Sequence, residues 1–199
     1  LIFLRFHFII KYKIEKGEKD MEMIHNKWFI GFPFSEEWLK AYTDHVKERY
    51  NDYINKEEWI NAIFSVERPY RTQELCDLLY KMNPEQQWEA IKEVYIDSEN
   101  PSVNVDFWKF VFSLDSLKAF YNKTKEELPS RFKIYRGMSK EEHDSTTKGI
   151  SWTLSKEKAE FFANRFKKDG VVEERDVDIE DIVCFLPDRN EQEVIYFEN

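Results

Sequence analysis

The chain has 199 residues, 17% of them aromatic and 35% charged, with a formal net charge of -9. That length holds one generous domain, or one domain with a helical appendage. The aromatic content argues against disorder, and the negative charge argues against general nucleic-acid coating while leaving room for a local basic patch.

Leu1 to Ile14 is apolar but interrupted by Arg5, His7 and Lys11, and it is too short to span a bilayer. No charge precedes the run and no small-residue cleavage site follows it, unlike a secretory signal. The first methionine is Met21, so residues 1–20 read as an upstream extension or, alternatively, as an added β-strand. Trp28 to Phe34 is a short aromatic segment broken by Gly31 and Pro33. Ser35-Glu36-Glu37 then opens a helix carrying Trp38, Leu39, Tyr42 and Val46. Further helices are expected over Lys56 to Phe64, Thr72 to Lys81 and Pro84 to Ile96, the last with proline at its first position. Asp97 to Asn104 is a polar connection. Phe107 to Phe112 is apolar, Ser116 to Asn122 resumes a helical pattern, and Pro129 closes this half.

After Pro129 the text changes to short strands and turns. Phe132 to Gly137 is a strand, and Ser139 to Lys148 a polar loop. Ile150, Trp152 and Leu154 alternate with Ser151, Thr153 and Ser155, so one strand face offers bulk to a core and the other offers small hydroxyls. Ser155 fits a helix N-cap with Glu157 in the first turn. Ala159, Phe162, Ala163 and Phe166 then form one apolar stripe, and Gly170 stops the helix. Val171-Val172 and Ile182 to Leu186 are strand-like, and Glu191 to Phe197 is a last strand after the Pro187-Asp188-Arg189-Asn190 turn. The expected class is α+β: a helical N-terminal region over 21–129 and a β-rich core over 130–199, packed as one unit.

Cys76 and Cys184 belong to no Cys-x-x-Cys pair. Two buried thiols in a reducing cytosol are expected, with a single disulfide as the alternative. His7, His25, His45 and His143 show no metal-ligand spacing, and no metal is expected.

Three stretches carry residues suited to chemistry. Arg136 shares a strand face with Phe132 and Ile134, so it must meet an anion or carboxylate, unless it ends the strand and reaches solvent. Gly137 beside it lets a backbone or a ligand come close. The hydroxyl face of Ser151 and Thr153 is either architecture or the floor of a site. In Glu191-Gln192-Glu193 the strand period places Glu191 and Glu193 on one face, with Cα atoms roughly 7 Å apart. Such a pair can hold a hydroxyl or stabilise a developing cation, or it is an acidic, solvated edge.

Taken in order, Tyr135-Arg136-Gly137, Ser151-Trp152-Thr153 and Glu191-Gln192-Glu193 resemble the arginine-serine-glutamate class of ADP-ribosyltransferases, which includes bacterial mono-ADP-ribosylating toxins and phage-encoded relatives. The resemblance covers residues ~131 to 197. Its middle motif departs from the usual Ser-Thr-Ser, with Trp152 at the centre and Thr153 at the end. The resemblance implies NAD as substrate, bound by a core of that fold. It makes Glu193 the carboxylate that stabilises the ribose oxocarbenium and contacts the 2′-hydroxyl, and Ser151 the residue that holds Glu193. Glu191 would engage the acceptor, as in arginine modifiers. Arg136 would grip the phosphate-ribose portion, with Tyr135, Gly137 and Thr153 alongside. Phe161 and Phe162 stand on the following helix; Phe161, about 200° around it from Ala159, would stack on a ring or pack on the helical half.

The implied enzyme is cytoplasmic and acts on a macromolecular acceptor, a protein side chain with arginine favoured or a nucleic-acid base. A role as a toxin in bacterial or phage conflict would add a neutralising antitoxin or chaperone as a partner. NAD hydrolysis without an acceptor and a non-catalytic interaction module are the alternatives. The N-terminal helices would recognise the target, cover the NAD cleft or bind that partner, with plain scaffold the preferred reading. Lys156, Lys158, Arg165, Lys167 and Lys168 would touch a nucleic acid or, as preferred, form a solvated helix side. There is no Gly-x-Gly-x-x-Gly, P-loop, His-Glu-x-x-His or nucleophile elbow.

Overall fold

The computed structural model describes residues 23–98, 104–145, 148–165, 169–187 and 191–198. The segment 1–20, residues 99–103 of the connection after Asp97, Phe166, Lys167, Lys168 and residues 188–190 of the expected turn lie outside them. The secondary structure is mixed α and β, with antiparallel sheets and a largely helical N-terminal part. The chain divides into two compact units, Leu1–Ser98 and Glu99–Asn199.

In the first unit, β1 (Ile24–Asn26) and β2 (Phe29–Gly31) pair as an antiparallel hairpin. Asn26 makes the turn, its Oδ1 accepting from Trp28 N at 2.9 Å and Phe29 N at 3.1 Å. The helix α1 (Glu36–Asn55) starts at the Ser35 cap, whose hydroxyl accepts from Trp38 N. The expected helix from Lys56 begins later, as α2 (Trp59–Phe64), because Glu57 takes a left-handed φ of 58° between the two helices. After α3 (Arg71–Leu78), α4 (Pro84–Asp97) opens with a reciprocal capping box between Asn83 and Gln86. Helices α2, α3 and α4 pack together around Ala62, Ile63, Leu75 and Ile91, all fully buried. Cys76 corrects one expectation: it is a free, exposed thiol, because α3 turns Leu75 and Leu78 inward.

The second unit begins with α5 (Val105–Phe112) and α6 (Lys118–Thr124), followed by β3 (Arg131–Met138), α7 (Lys140–His143), β4 (Ser151–Thr153), α8 (Lys156–Asn164), β5 (Val171–Asp178), β6 (Ile182–Leu186) and β7 (Glu193–Tyr196). The five strands form one antiparallel sheet in the order β5-β3-β4-β7-β6. The division of the chain falls before α5 rather than near Pro129 because α6 is fastened to the sheet. Thr124 Oγ1 accepts from Phe185 N at 2.9 Å, and Lys125 Nζ donates to the Ile182 carbonyl at 2.9 Å. Burial lowers the pKa of that Lys125 amine.

One sheet face builds a core of Ile134, Trp152, Val177, Ile182 and Val194, with Phe132, Leu154 and Tyr196 packed against it. Helix α8 lies against the other face of β3. A Cβ added to Gly137 would sit 1.8 Å from the Ala159 carbonyl oxygen, and one on Gly170 would sit 1.7 Å from that of Ala163. These glycines let the helix touch the backbone beneath it. Ser155 caps α8 by accepting from Lys158 N, as its sequence suggests.

Candidate active site

Strands β3, β4 and β7 are neighbours in the sheet, and they carry Arg136, Ser151 and Glu193 respectively. Thr153 pairs with Glu193 across β4 and β7, and with Tyr135 across β4 and β3. Tyr135, Thr153 and Glu193 therefore share a face. Ser151, two residues from Thr153, shares it too and is the diagonal neighbour of Glu193. The Ser151 hydroxyl donates to the Glu193 carboxylate.

Arg136 leaves β3 on the opposite, core-lined face and is 8% exposed. Tyr135–Thr153 is the one ladder pair between β3 and β4, so the strands part beyond it. The Arg136 guanidinium reaches from β3 to the backbone of β4. One terminal nitrogen donates to the Ser151 carbonyl and the other to the Glu142 carboxylate, while Nε is buried without a partner among the described residues. Ser151 is thus the junction of the group: its backbone oxygen holds Arg136 and its side chain holds Glu193. The buried arginine meets a carboxylate, as its setting among apolar residues requires.

Glu191 departs from the expected alternation. It precedes β7, and Gln192 has a left-handed φ of 49°, so a strand period does not relate Glu191 to Glu193. The backbone is fastened here instead. Thr153 Oγ1 donates to the Glu191 carbonyl at 2.6 Å, and Leu154 N donates to the Gln192 carbonyl at 3.0 Å. Thr153, 6% exposed, anchors the approach to Glu193. Gly137 lies under α8, where it makes room for the helix. Phe161 and Phe162 meet edge to face on α8, with Phe161 61% exposed and Phe162 partly buried.

Beside the site, on the same sheet face, lies Cys184, on β6 opposite Ile195. Burial first, and the nearby Glu193 charge second, raise its thiol pKa well above the ordinary value, so it stays neutral. Beside Arg136 on the core face runs an ionic edge. Glu173, the cross-strand partner of Arg136, binds Arg175 and Lys148, and the Arg175 guanidinium lies 5.3 Å from the Trp152 ring.

Glu142 and Cys184 are the members that sequence reasoning missed. Ser139-x-x-Glu142 matches a capping pattern that marks α7, and Ser139 Oγ does accept from Glu142 N at 3.1 Å. The expected polar loop over Ser139 to Lys148 therefore contains a short helix. Nothing comparable marks Cys184 as a neighbour of Glu193.

Among the described residues, no group of three or more His, Cys, Asp or Glu could hold a metal ion, and no helix is long and apolar enough to cross a membrane. Comparison with protein-family models, with curated proteins and with solved structures finds no match to this chain.

Proposed function

We propose that the chain is an ADP-ribosyltransferase that moves ADP-ribose from NAD to a macromolecular acceptor and releases nicotinamide. The observation that carries this reading is the junction at Ser151, which ties the Arg136 guanidinium and the Glu193 carboxylate into one group across three adjacent strands. The reading assigns that group to an NAD site in a core of the transferase fold.

Breaking the bond from the ribose C1′ to the nicotinamide nitrogen sends the electron pair to that nitrogen. Nicotinamide leaves neutral, and the ribose becomes an oxocarbenium. Glu193, oriented by Ser151, stabilises that positive charge. The acceptor attacks C1′ and gives up a proton. Arg136 supplies positive charge for the dinucleotide phosphates, a task suited to a planar fork of donors. A protein side chain, with arginine favoured, or a nucleic-acid base is the acceptor, in a cytoplasmic toxin of bacterial or phage conflict.

Incubation with labelled NAD and a cell lysate tests the reading. Label on protein or on nucleic acid supports transfer and identifies the acceptor class. Free ADP-ribose alone makes the protein a glycohydrolase, and intact NAD leaves an interaction module.

Two substitutions probe the assigned roles. Arg136→Lys keeps the charge but cannot serve the Ser151 carbonyl and the Glu142 carboxylate as a fork. It should raise KM for NAD roughly tenfold to a hundredfold, the scale of one charge-assisted hydrogen bond. Steady-state kinetics decide it, since unchanged constants would make Arg136 purely structural. Glu191→Gln should lower transfer roughly tenfold or more, as loss of a base that orients the acceptor does, and should spare hydrolysis. Labelled acceptor and free ADP-ribose, measured in one sample, give both rates. Equal losses would place Glu191 in the NAD site or in the fold.

A further inference from the structure

The structure assigns Glu142 the part of a positioning residue that holds Arg136 for the dinucleotide, an inference that rests on the NAD reading above. Arg136 is nine-tenths buried on a strand face shared with Phe132 and Ile134, where a guanidinium without a counter-charge is costly. Among the described residues, Glu173 and Glu142 are the carboxylates to weigh as its partner. Glu173 is its cross-strand partner, but that side chain is committed elsewhere, to Arg175 Nε at 2.8 Å and Lys148 Nζ at 3.0 Å. Glu142 makes the ion pair.

The arrangement around Glu142 is built rather than incidental. Its backbone is fixed in the first turn of α7 by Ser139. Its Oε1 accepts from the Arg136 guanidinium and also from the Gly149 amide at 3.2 Å. One oxygen therefore joins the end of β3 to the entry of β4, two residues before Ser151. With one side of the guanidinium held by Glu142, the other meets the Ser151 carbonyl, and the Ser151 hydroxyl meets Glu193. Glu142 touches neither reacting atom nor leaving group in this scheme. It acts through Arg136, by fixing the direction in which the guanidinium points.

The test uses the whole chain and two variants. Glu142→Gln keeps a carbonyl oxygen for the Gly149 amide and removes the charge facing Arg136. Glu142→Ala removes both. In kinetics, Glu142→Gln should raise KM for NAD roughly tenfold to a hundredfold, the range that loss of an outer partner costs a metal-binding side chain, with kcat largely kept. In the ligand-free protein, NMR should show faster exchange of the Arg136 Nε proton in Glu142→Gln while the Gly149 amide stays protected. In Glu142→Ala, Gly149 should lose protection as well. Unchanged KM and unchanged Arg136 exchange in Glu142→Gln would overturn the inference. So would a fall in KM, because Glu142 would then be competing with the dinucleotide for Arg136. If the alanine variant does not fold, the near-isosteric glutamine variant decides alone. A wild-type protein that leaves NAD intact overturns the transferase reading, and the exchange measurement, made without NAD, still decides whether Glu142 holds Arg136.

Discussion

On the proposed transferase reading, Glu193→Gln should drive NAD cleavage to background while the protein keeps its fold. Glu193 is the first residue of β7, paired across the sheet with Thr153 and followed by Val194 and Ile195, both fully buried. The amide keeps the size of the side chain, and its carbonyl oxygen can still accept from the Ser151 hydroxyl, so the strand and its pairing survive. What disappears is the negative charge. In the ground state that charge holds the Ser151 hydroxyl and acts on Cys184. In the proposed oxocarbenium this partly buried carboxylate would face a full positive charge, against which a fixed electrostatic partner is worth several kcal/mol. The expected fall in kcat is at least about 10³-fold, at the upper end for loss of one such group. Nicotinamide release measures the rate, and overlaid thermal melts of variant and wild type check the fold. A folded glutamine variant with wild-type turnover would remove Glu193 from the chemistry and with it the transferase reading.

Helix starts and strand faces were legible where a local interaction sets them. Ser35, Asn83 with Pro84, and Ser155 each begin a helix through a cap that lies within three residues in sequence. The alternation from Ile150 to Leu154 likewise separates a core face from a hydroxyl face, because a strand period needs no knowledge of the partner strand. The apolar company of Arg136 announced a counter-charge but could not say which, since Glu142 reaches it through a helix hidden in a polar run.

Features set by non-local contacts were not legible. Glu191 and Glu193 look like alternate strand residues, yet the left-handed Gln192 breaks the period, and the Thr153 side chain ties down the Glu191 carbonyl from another strand. Strand β5 runs from Val171 to Asp178, well past the two valines that suggested it, because it is an edge strand whose outward positions are charged: Glu174 and Asp176 pair with Lys133. Charge on an edge discourages pairing with other chains and masks the apolar signal of a strand. The hairpin of β1 and β2 was hidden for a similar reason, since its Lys27-Trp28 turn lacks the usual glycine and is made by the Asn26 side chain.

Gly137→Ala should destabilise the second unit by roughly 3 kcal/mol or more, at or beyond the usual range for overpacking. The glycine is not required by its conformation, for Gly31 is the glycine with positive φ among the described residues. It is required by space. The new Cβ would lie 1.8 Å from the Ala159 carbonyl oxygen and 2.7 Å from both the Ala159 carbonyl carbon and the Ala163 nitrogen. All three are helix backbone, so no side chain can rotate away to relieve the clash. Strand β3 cannot easily yield either, because it is paired with β5 along its whole length, Gly137 opposite Val172. The helix must therefore lift from the strand, which strips contact from Ala159 and Ala163, both buried beneath it. Urea unfolding, with the slope compared between variant and wild type, gives the loss directly. The result also separates two roles for the residue. A glycine kept so that NAD can approach the backbone would give a variant of normal stability and poor NAD use. A glycine kept for α8 gives a variant whose activity at low temperature, where it is still folded, falls far less than its stability.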